Sequence, residues 1–184
     1  MKRSDFRYHP FYCEENAWLL AADPRLAALD RWMIFITNSA RSCLLFHQRA
    51  GGPHGQVVWD YHVIVAALSG SHIEVYDLDT TLDFPVLLPD YVAHTFTEVA
   101  SWPDIYRPRF KVVPAEDALR RFASDRRHMR RTDGSWQASP PPWPTIQGAD
   151  APHNLDRWLD VDERAQDDVY DVHTIASAFT RPSR

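Results

Sequence analysis

Apolar and polar positions follow two rhythms along this chain, and the changes of rhythm divide it into elements. Residues 32–37, Trp-Met-Ile-Phe-Ile-Thr, are an unbroken run of β-formers and predict a buried strand. The longest strand-like run is 57–68, followed by Ser69-Gly70-Ser71 and a further run at 72–78. Two such runs joined by so short a break predict a β-hairpin. Residues 43–48 predict a strand that turns back at Asn38-Ser39 to pair with 32–37, and 110–113 predict a short one.

Helical spacing replaces this pattern at 14–22. Ala17, Trp18, Leu19 and Leu20 supply an apolar face there, and Glu14 and Glu15 occupy the first turn, where the helix dipole favours carboxylates. Pro24 suits the start of a short helix reaching Leu29. Residues 89–100 carry Tyr91, Val92, Phe96 and Val99 on one face, and 114–123 turn Leu119 and Phe122 inward. Short helices are predicted at 154–159 and 172–179. Residues 49–56 form a glycine-bearing loop, and 82–89 are extended and limited by proline. Residues 132–150, with Pro140-Pro141-Pro142-Trp143-Pro144, form a long irregular segment of the kind that serves as a lid, a binding loop or a packed wrap. With no repeat and no linker, the pattern predicts a single α+β domain over residues 1–184 around an antiparallel sheet.

Composition narrows the function. The 184 residues are 45% apolar, enough for a sizeable core. Twenty basic against 25 acidic residues leave a net charge of −5, which argues against general nucleic-acid binding. The basic start at residues 1–7 has no apolar stretch behind it, so no secretory signal is expected, and no run approaches the length of a membrane span. With only Cys13 and Cys43, a reducing cytoplasm and a monomer are the expectation. Neither CxxC nor HExxH occurs, and the 51–55 loop lacks the ending of a P-loop, so no metal and no phosphate cradle are expected. Arg120, Arg121, Arg126, Arg127, Arg130 and Arg131 surround His128; a solvated face paired with acids outweighs an anion site there.

The candidate chemistry starts at Cys13, beside a predicted helix N-terminus. Unpaired backbone N–H groups at that position favour a thiolate, although Glu14 and Glu15 oppose it. Cys43 lies inside an apolar run and is expected in the core. If Ser69-Gly70 is the hairpin turn, residues whose numbers sum to 139 face one another, and His62 lies opposite Asp77. A turn at Gly70-Ser71 would set His62 opposite Asp79 instead. In either register a carboxylate can orient an imidazole, and a helix-start cysteine with a carboxylate-backed histidine is the apparatus of thiol-based acyl transfer. An ordinary buried His–Asp pair is the plainer alternative.

Five blocks then carry a resemblance. Phe11-Tyr12-Cys13-Glu14-Glu15-Asn16, Trp59-Asp60-Tyr61-His62-Val63, Tyr76-Asp77-Leu78-Asp79-Thr80, Phe122-Ala123-Ser124-Asp125-Arg126 with His128-Met129, and Pro140-Pro141-Pro142 with Pro144 closely resemble the protein N-terminal glutamine amidohydrolases, in the same order and over nearly the whole chain. The resemblance implies a papain- or transglutaminase-like α+β fold and a triad of Cys13, His62 and Asp77, which selects the Ser69-Gly70 turn. It implies deamidation of glutamine at the N-terminus of polypeptides, giving glutamate and ammonia without a cofactor. In eukaryotes that reaction feeds the arginine branch of the N-degron pathway. The alternatives are a related thiol hydrolase or transglutaminase acting on internal glutamine, and a non-catalytic binder of protein N-termini.

The 139 register has a further consequence. It sets Asp60 opposite Asp79, where the two carboxylates repel unless a cation lies between them. The substrate's α-ammonium, helped by Glu15, is a candidate for that cation. Two residues along a strand span about 7 Å, close to the separation of a glutamine's side-chain amide from its own α-nitrogen.

Overall fold

Along the chain come helix α1 (Cys13–Ala21), strands β1 (Arg31–Thr37), β2 (Cys43–Leu45), β3 (Val57–Trp59), β4 (His62–Ser69), β5 (His72–Tyr76) and β6 (Val86–Leu87), and helix α2 (Leu88–Thr95). Strand β7 (Arg109–Pro114), helices α3 (Ala115–Arg121) and α4 (Leu155–Trp158) and strand β8 (Val169–Tyr170) complete the set. The computed structural model describes residues 1–149, 151–161 and 168–180; Asp150, the last residue of the expected irregular segment, lies outside them. No described helix is long and apolar enough to cross a membrane.

Six strands form one antiparallel sheet in the order β6-β5-β4-β1-β7-β8. Successive strand side chains point to opposite faces. Met33 and Phe35 of β1 therefore enter one core with Ala17 and Leu20 of α1, Ala118 of α3 and Trp158 of α4. Ile34 and Ile36 enter a second core with Cys43 and Leu45 of β2 and Leu88 and Tyr91 of α2. A strand covered on both faces must be apolar at every position, which is why β1 reads as an unbroken run rather than an alternation.

Several expectations are corrected by tertiary constraints. The strand at 43–48 does not pair with β1; β2 pairs with β3 in a separate two-stranded sheet. Both edges of β1 are already taken, since Ile36 faces His62 on β4 and Phe110 on β7. Asn38 then turns the chain away, donating to the carbonyls of Ser42, Ile105 and Arg107 at 2.8–3.0 Å. The run at 57–68 breaks at Asp60-Tyr61, where the Asp60 carbonyl accepts from the Thr37 hydroxyl at 2.8 Å. Residues 24–29 form turns rather than a helix, and Arg31 donates to the carbonyls of Ala21, Ala27 and Leu29. The helix expected at 89–100 stops at Thr95, and Val99–Ser101 and Ile175–Phe179 are 3-10 turns.

The hairpin register also differs from the expected one. Ser69 pairs with His72 and Val65 with Tyr76, so paired residues sum to 141 and Gly70-Ser71 is the turn, not Ser69-Gly70. Gly70 has φ 61°, a left-handed conformation that only glycine enters at no steric cost. The opposition of Asp60 and Asp79 drawn from the 139 register is accordingly absent.

The irregular segment is a packed wrap. Tyr12 donates to the Ala138 carbonyl at 3.0 Å, and Trp143 Nε1 donates to Glu15 Oε2 at 2.6 Å. The arginine cluster is partly the solvated face expected of it, with Arg120 on Asp117 and Arg127 on Asp125. Arg126 is the exception. It is buried, holds Glu15 through Nε at 2.6 Å and Nη2 at 2.9 Å, and donates to the Trp143 carbonyl at 2.8 Å.

Glu15 is fully buried, so removing its cation leaves an uncompensated charge. Arg126→Met is expected to lower stability by about 3 kcal/mol or more, the usual cost of breaking a buried pair. Urea unfolding of the two proteins measures this. A loss below about 0.5 kcal/mol, in the range of ordinary surface changes, would mean that the pair does not anchor the wrap.

Candidate active site

Cys13 is the first residue of α1, and the segment before it is clamped. Asn16 accepts the His9 N–H at 2.9 Å and donates to the His9 carbonyl at 2.8 Å. Phe11 has φ 69°, a conformation costly for a residue with a side chain. The N-cap, Tyr12, makes no side-chain cap, which leaves the first backbone N–H groups of α1 without that partner. Cys13 borders a cavity of about 590 Å³ whose walls also include Asp60, Tyr61, His62, Asp79 and His128.

His62 begins β4 and is buried. Its Nε2 donates to Asp77 Oδ1 at 3.0 Å, leaving Nδ1 for other chemistry. This contact does not come from the hairpin ladder, which ends at Tyr76. Asp77 accepts the N–H of Asp79 at 2.9 Å, a turn-forming bond that competes with strand pairing and takes the chain out of β5. Its other oxygen accepts from the Tyr91 hydroxyl at 2.9 Å and from Gln48 Nε2 at 3.4 Å. Burial opposes the charge on Asp77, yet the neighbouring His62 and these hydrogen bonds hold its carboxyl below the usual value. Burial likewise opposes the charge on His62, and Asp77 overcomes it and raises the imidazole.

Cys13 departs from the helix-start expectation. Burial pushes its thiol well up, the carboxylates of Glu14, Asp79 and Asp60 push the same way, and a hydrogen bond from the Val63 N–H opposes them. The helix terminus is outweighed because the sulfur is both desolvated and surrounded by negative charge. Cys43, in the core beside β3, is raised to about 12 by burial first.

The remaining site residues divide. Asp60 and Asp79 both line the cavity. Asp60 accepts the Tyr61 N–H at 3.0 Å, and Asp79 accepts the Tyr8 hydroxyl at 2.6 Å. Glu15 does not line it: Arg126 and Trp143 occupy its carboxylate, so a role for Glu15 at an ammonium is corrected. The donor atoms of His62, Asp77 and Asp79 lie within 4.8 Å of one another, close enough to share a metal ion, although Asp77 is already engaged by four hydrogen bonds. Sequence reasoning missed Tyr8, Gln48 and Tyr91, whose polar tips support the two aspartates. Tyr91 was legible only as an apolar-face residue of a helix. Glu14 was read only as a charge opposing the thiolate and His128 only as the centre of the arginine cluster, and Tyr61 was given no role, although all three stood inside the quoted blocks.

Comparison with known proteins gives one consistent result. The family described as N-terminal glutamine amidase matches residues 8–180. Protein N-terminal glutamine amidohydrolase of Homo sapiens is 35% identical over 162 residues, 85% of this chain and 79% of its own length. The protein of that name from Arabidopsis thaliana is 35% identical over 192 residues, 98% of this chain and 87% of its own. That from Drosophila melanogaster is 42% identical over 152 residues, 79% and 74% respectively.

The His62–Asp77 pair makes stability depend on pH in a definite direction. The lowered Asp77 contributes stability above the ordinary carboxylate value near 3.9, lost as pH falls through its depressed value. The raised His62 contributes stability below about 6.5, lost as pH rises through its elevated value. The stability gap between the native protein and Asp77→Asn is expected to be widest between about pH 4 and 6.5 and to narrow above that window. Thermal melts across the range measure it, and a gap that stays flat into the alkaline range would rule out a charged pair.

Proposed function

Because the chain belongs to the N-terminal glutamine amidase family, we propose that it deamidates glutamine at the first position of polypeptides, releasing ammonia through a Cys13–His62–Asp77 triad. The observation that carries the reading is the buried His62–Asp77 bond at the rim of the cavity that Cys13 borders. Asp77 fixes His62 as the Nε2–H tautomer and supports its positive charge, so Nδ1 is the nitrogen that exchanges protons.

In the mechanism, His62 takes the Cys13 proton and the sulfur attacks the side-chain amide carbon. The uncapped N–H groups at the start of α1 are the natural donors to the oxyanion. Protonated His62 then gives its proton to the departing ammonia. It next draws one from water, which hydrolyses the thioester to glutamate. The reaction needs no metal or organic cofactor. Two free thiols fit a reducing cytoplasm, and we take a monomer that binds no nucleic acid as the working form.

The charges around the sulfur support an N-terminal substrate. Burial, and after it the charges of Glu14, Asp79 and Asp60, make the thiol hard to ionise. A free α-ammonium entering the cavity would relieve that repulsion and is excluded when the terminus is acetylated. Asp60 and Asp79 are the acids on the cavity wall and are assigned this role.

Mass spectrometry on a Gln-initiated peptide, with an internal-Gln control, tests the activity. Cys13→Ala and His62→Ala are each expected to cut turnover by at least about 1,000-fold, since members of such a unit fail together. Asp77→Asn should cost less, and Cys43→Ala should retain most activity. An essential Cys43 with a dispensable Cys13 would overturn the assignment. For the ammonium, kcat/KM is compared in folded Asp60→Asn and Asp79→Asn proteins. A fall of about 10-fold or more in at least one is expected, the value of one charge contact. Native-like values in both would remove these acids from recognition while leaving the triad standing.

A further inference from the structure

Glu14 directly follows the proposed nucleophile and is fully buried, a costly place for a carboxylate without compensation. Its Oε2 accepts from the Tyr61 hydroxyl at 3.1 Å and lies 3.9 Å from Cys13 Sγ. Its Oε1 is buried without a hydrogen-bond partner among the described residues, and Nε2 of His128 lies 3.3 Å from it, within ion-pair distance. The Tyr61 oxygen stands 3.1 Å from the same Nε2. Since the one hydroxyl proton of Tyr61 goes to Glu14, the contact between Tyr61 and His128 requires a hydrogen on Nε2. Glu14 itself does not border the cavity, whereas Tyr61 and His128 do.

We propose that Glu14, Tyr61 and His128 form a second charge-bearing unit against the thiol, in which His128 is a positioning residue that acts on Cys13 through Glu14. The inference rests on Cys13 being the nucleophile. A buried carboxylate this close to the sulfur works against a thiolate, and the imidazolium of His128 offsets it. His62 then serves as the base, and His128 sets the field in which that base works.

The charges facing His128 come from several elements. Glu14 approaches from α1 and Tyr61 from the bend before β4, with Asp60 and Glu15 further off. On the other side the ring of His153 stacks on it with centroids 5.9 Å apart, and Asp125 stands 3.3 Å from His153 Nδ1. Burial opposes a charge on His128, and Glu14 more than restores it, raising the imidazole. Burial pushes the His153 imidazole down.

The test is the rate of Cys13 alkylation by iodoacetamide as a function of pH, located by mass spectrometry. It is run on the native chain, His128→Gln, Glu14→Gln and the double variant, and needs no substrate. His128→Gln is expected to move the midpoint up by about one pH unit, the low end of what a neighbouring opposite charge does to a titrating group, and Glu14→Gln to move it down. The double variant should return close to the native midpoint. At neutral pH, kcat/KM of His128→Gln should fall about 10-fold, the same shift expressed in thiolate population, and recover as pH rises. A unit that only supports the fold would not give shifts of opposite sign. A folded His128→Gln with the native midpoint, or two shifts of the same sign, would overturn the proposal. If His128→Gln does not fold, Glu14→Gln decides alone, and an unmoved midpoint overturns it. Failure of the nucleophile assignment is seen separately, as activity retained in Cys13→Ala.

Discussion

Charge taken out of water must be matched, and this constraint organises the molecule. Glu14, Glu15 and Asp77 are all essentially inaccessible to solvent. Each would be prohibitive alone, and each is answered by a partner from a distant part of the chain. Glu15 is met by Arg126 and Trp143, which ties the chain around those two residues to α1. Asp77 is met by His62, Tyr91 and Gln48, which joins β4, α2 and the segment after β2. Glu14 is met by Tyr61 and His128, which brings the 3-10 turn at Arg127–Met129 to the cavity wall.

The same constraint shapes the chemistry proposed for the site. A thiol that is desolvated and set among carboxylates is a poor nucleophile until positive charge offsets them, and a cationic substrate would add to the charge that His62, His128, Arg49 and Arg131 bring to the cavity wall. An uncharged amide side chain on a polypeptide bearing a free α-ammonium meets this electrostatic demand, whereas a neutral or acidic N-terminus does not. In the proposed function the field that restrains the sulfur also selects the substrate, so that the chemical and recognition problems share one solution.

In the sequence, counting across the turn left two registers open; the family resemblance selected the one that pairs His62 with Asp77, and the structure has the other. The side chains meet nonetheless, because Asp77 leaves the strand by bonding the Asp79 N–H and delivers its carboxylate from a turn rather than from a ladder. The opposition of Asp60 and Asp79 had no such independent support and did not survive the change of register.

What the chain determined by itself is what short-range physics and composition control. Helix α1 starts at Cys13 because carboxylates and an apolar face follow it, and β1 and β4 are strands because unbroken β-branched and aromatic runs can only be buried. The blocks around Cys13, His62 and Asp77 were likewise legible, because reactive residue types stood in a recognisable order. The tertiary structure alone decided which strands are neighbours. The run at 43–48 went to β3 because β1 had no free edge, a fact about space that no local window contains. It alone decided also that Glu15 is bound to Arg126, 111 residues away, while Glu14 turns toward Cys13. Adjacent glutamates on a helix are about 100° apart, so their fates depend on what each face meets, and that is set by the packing of the whole chain.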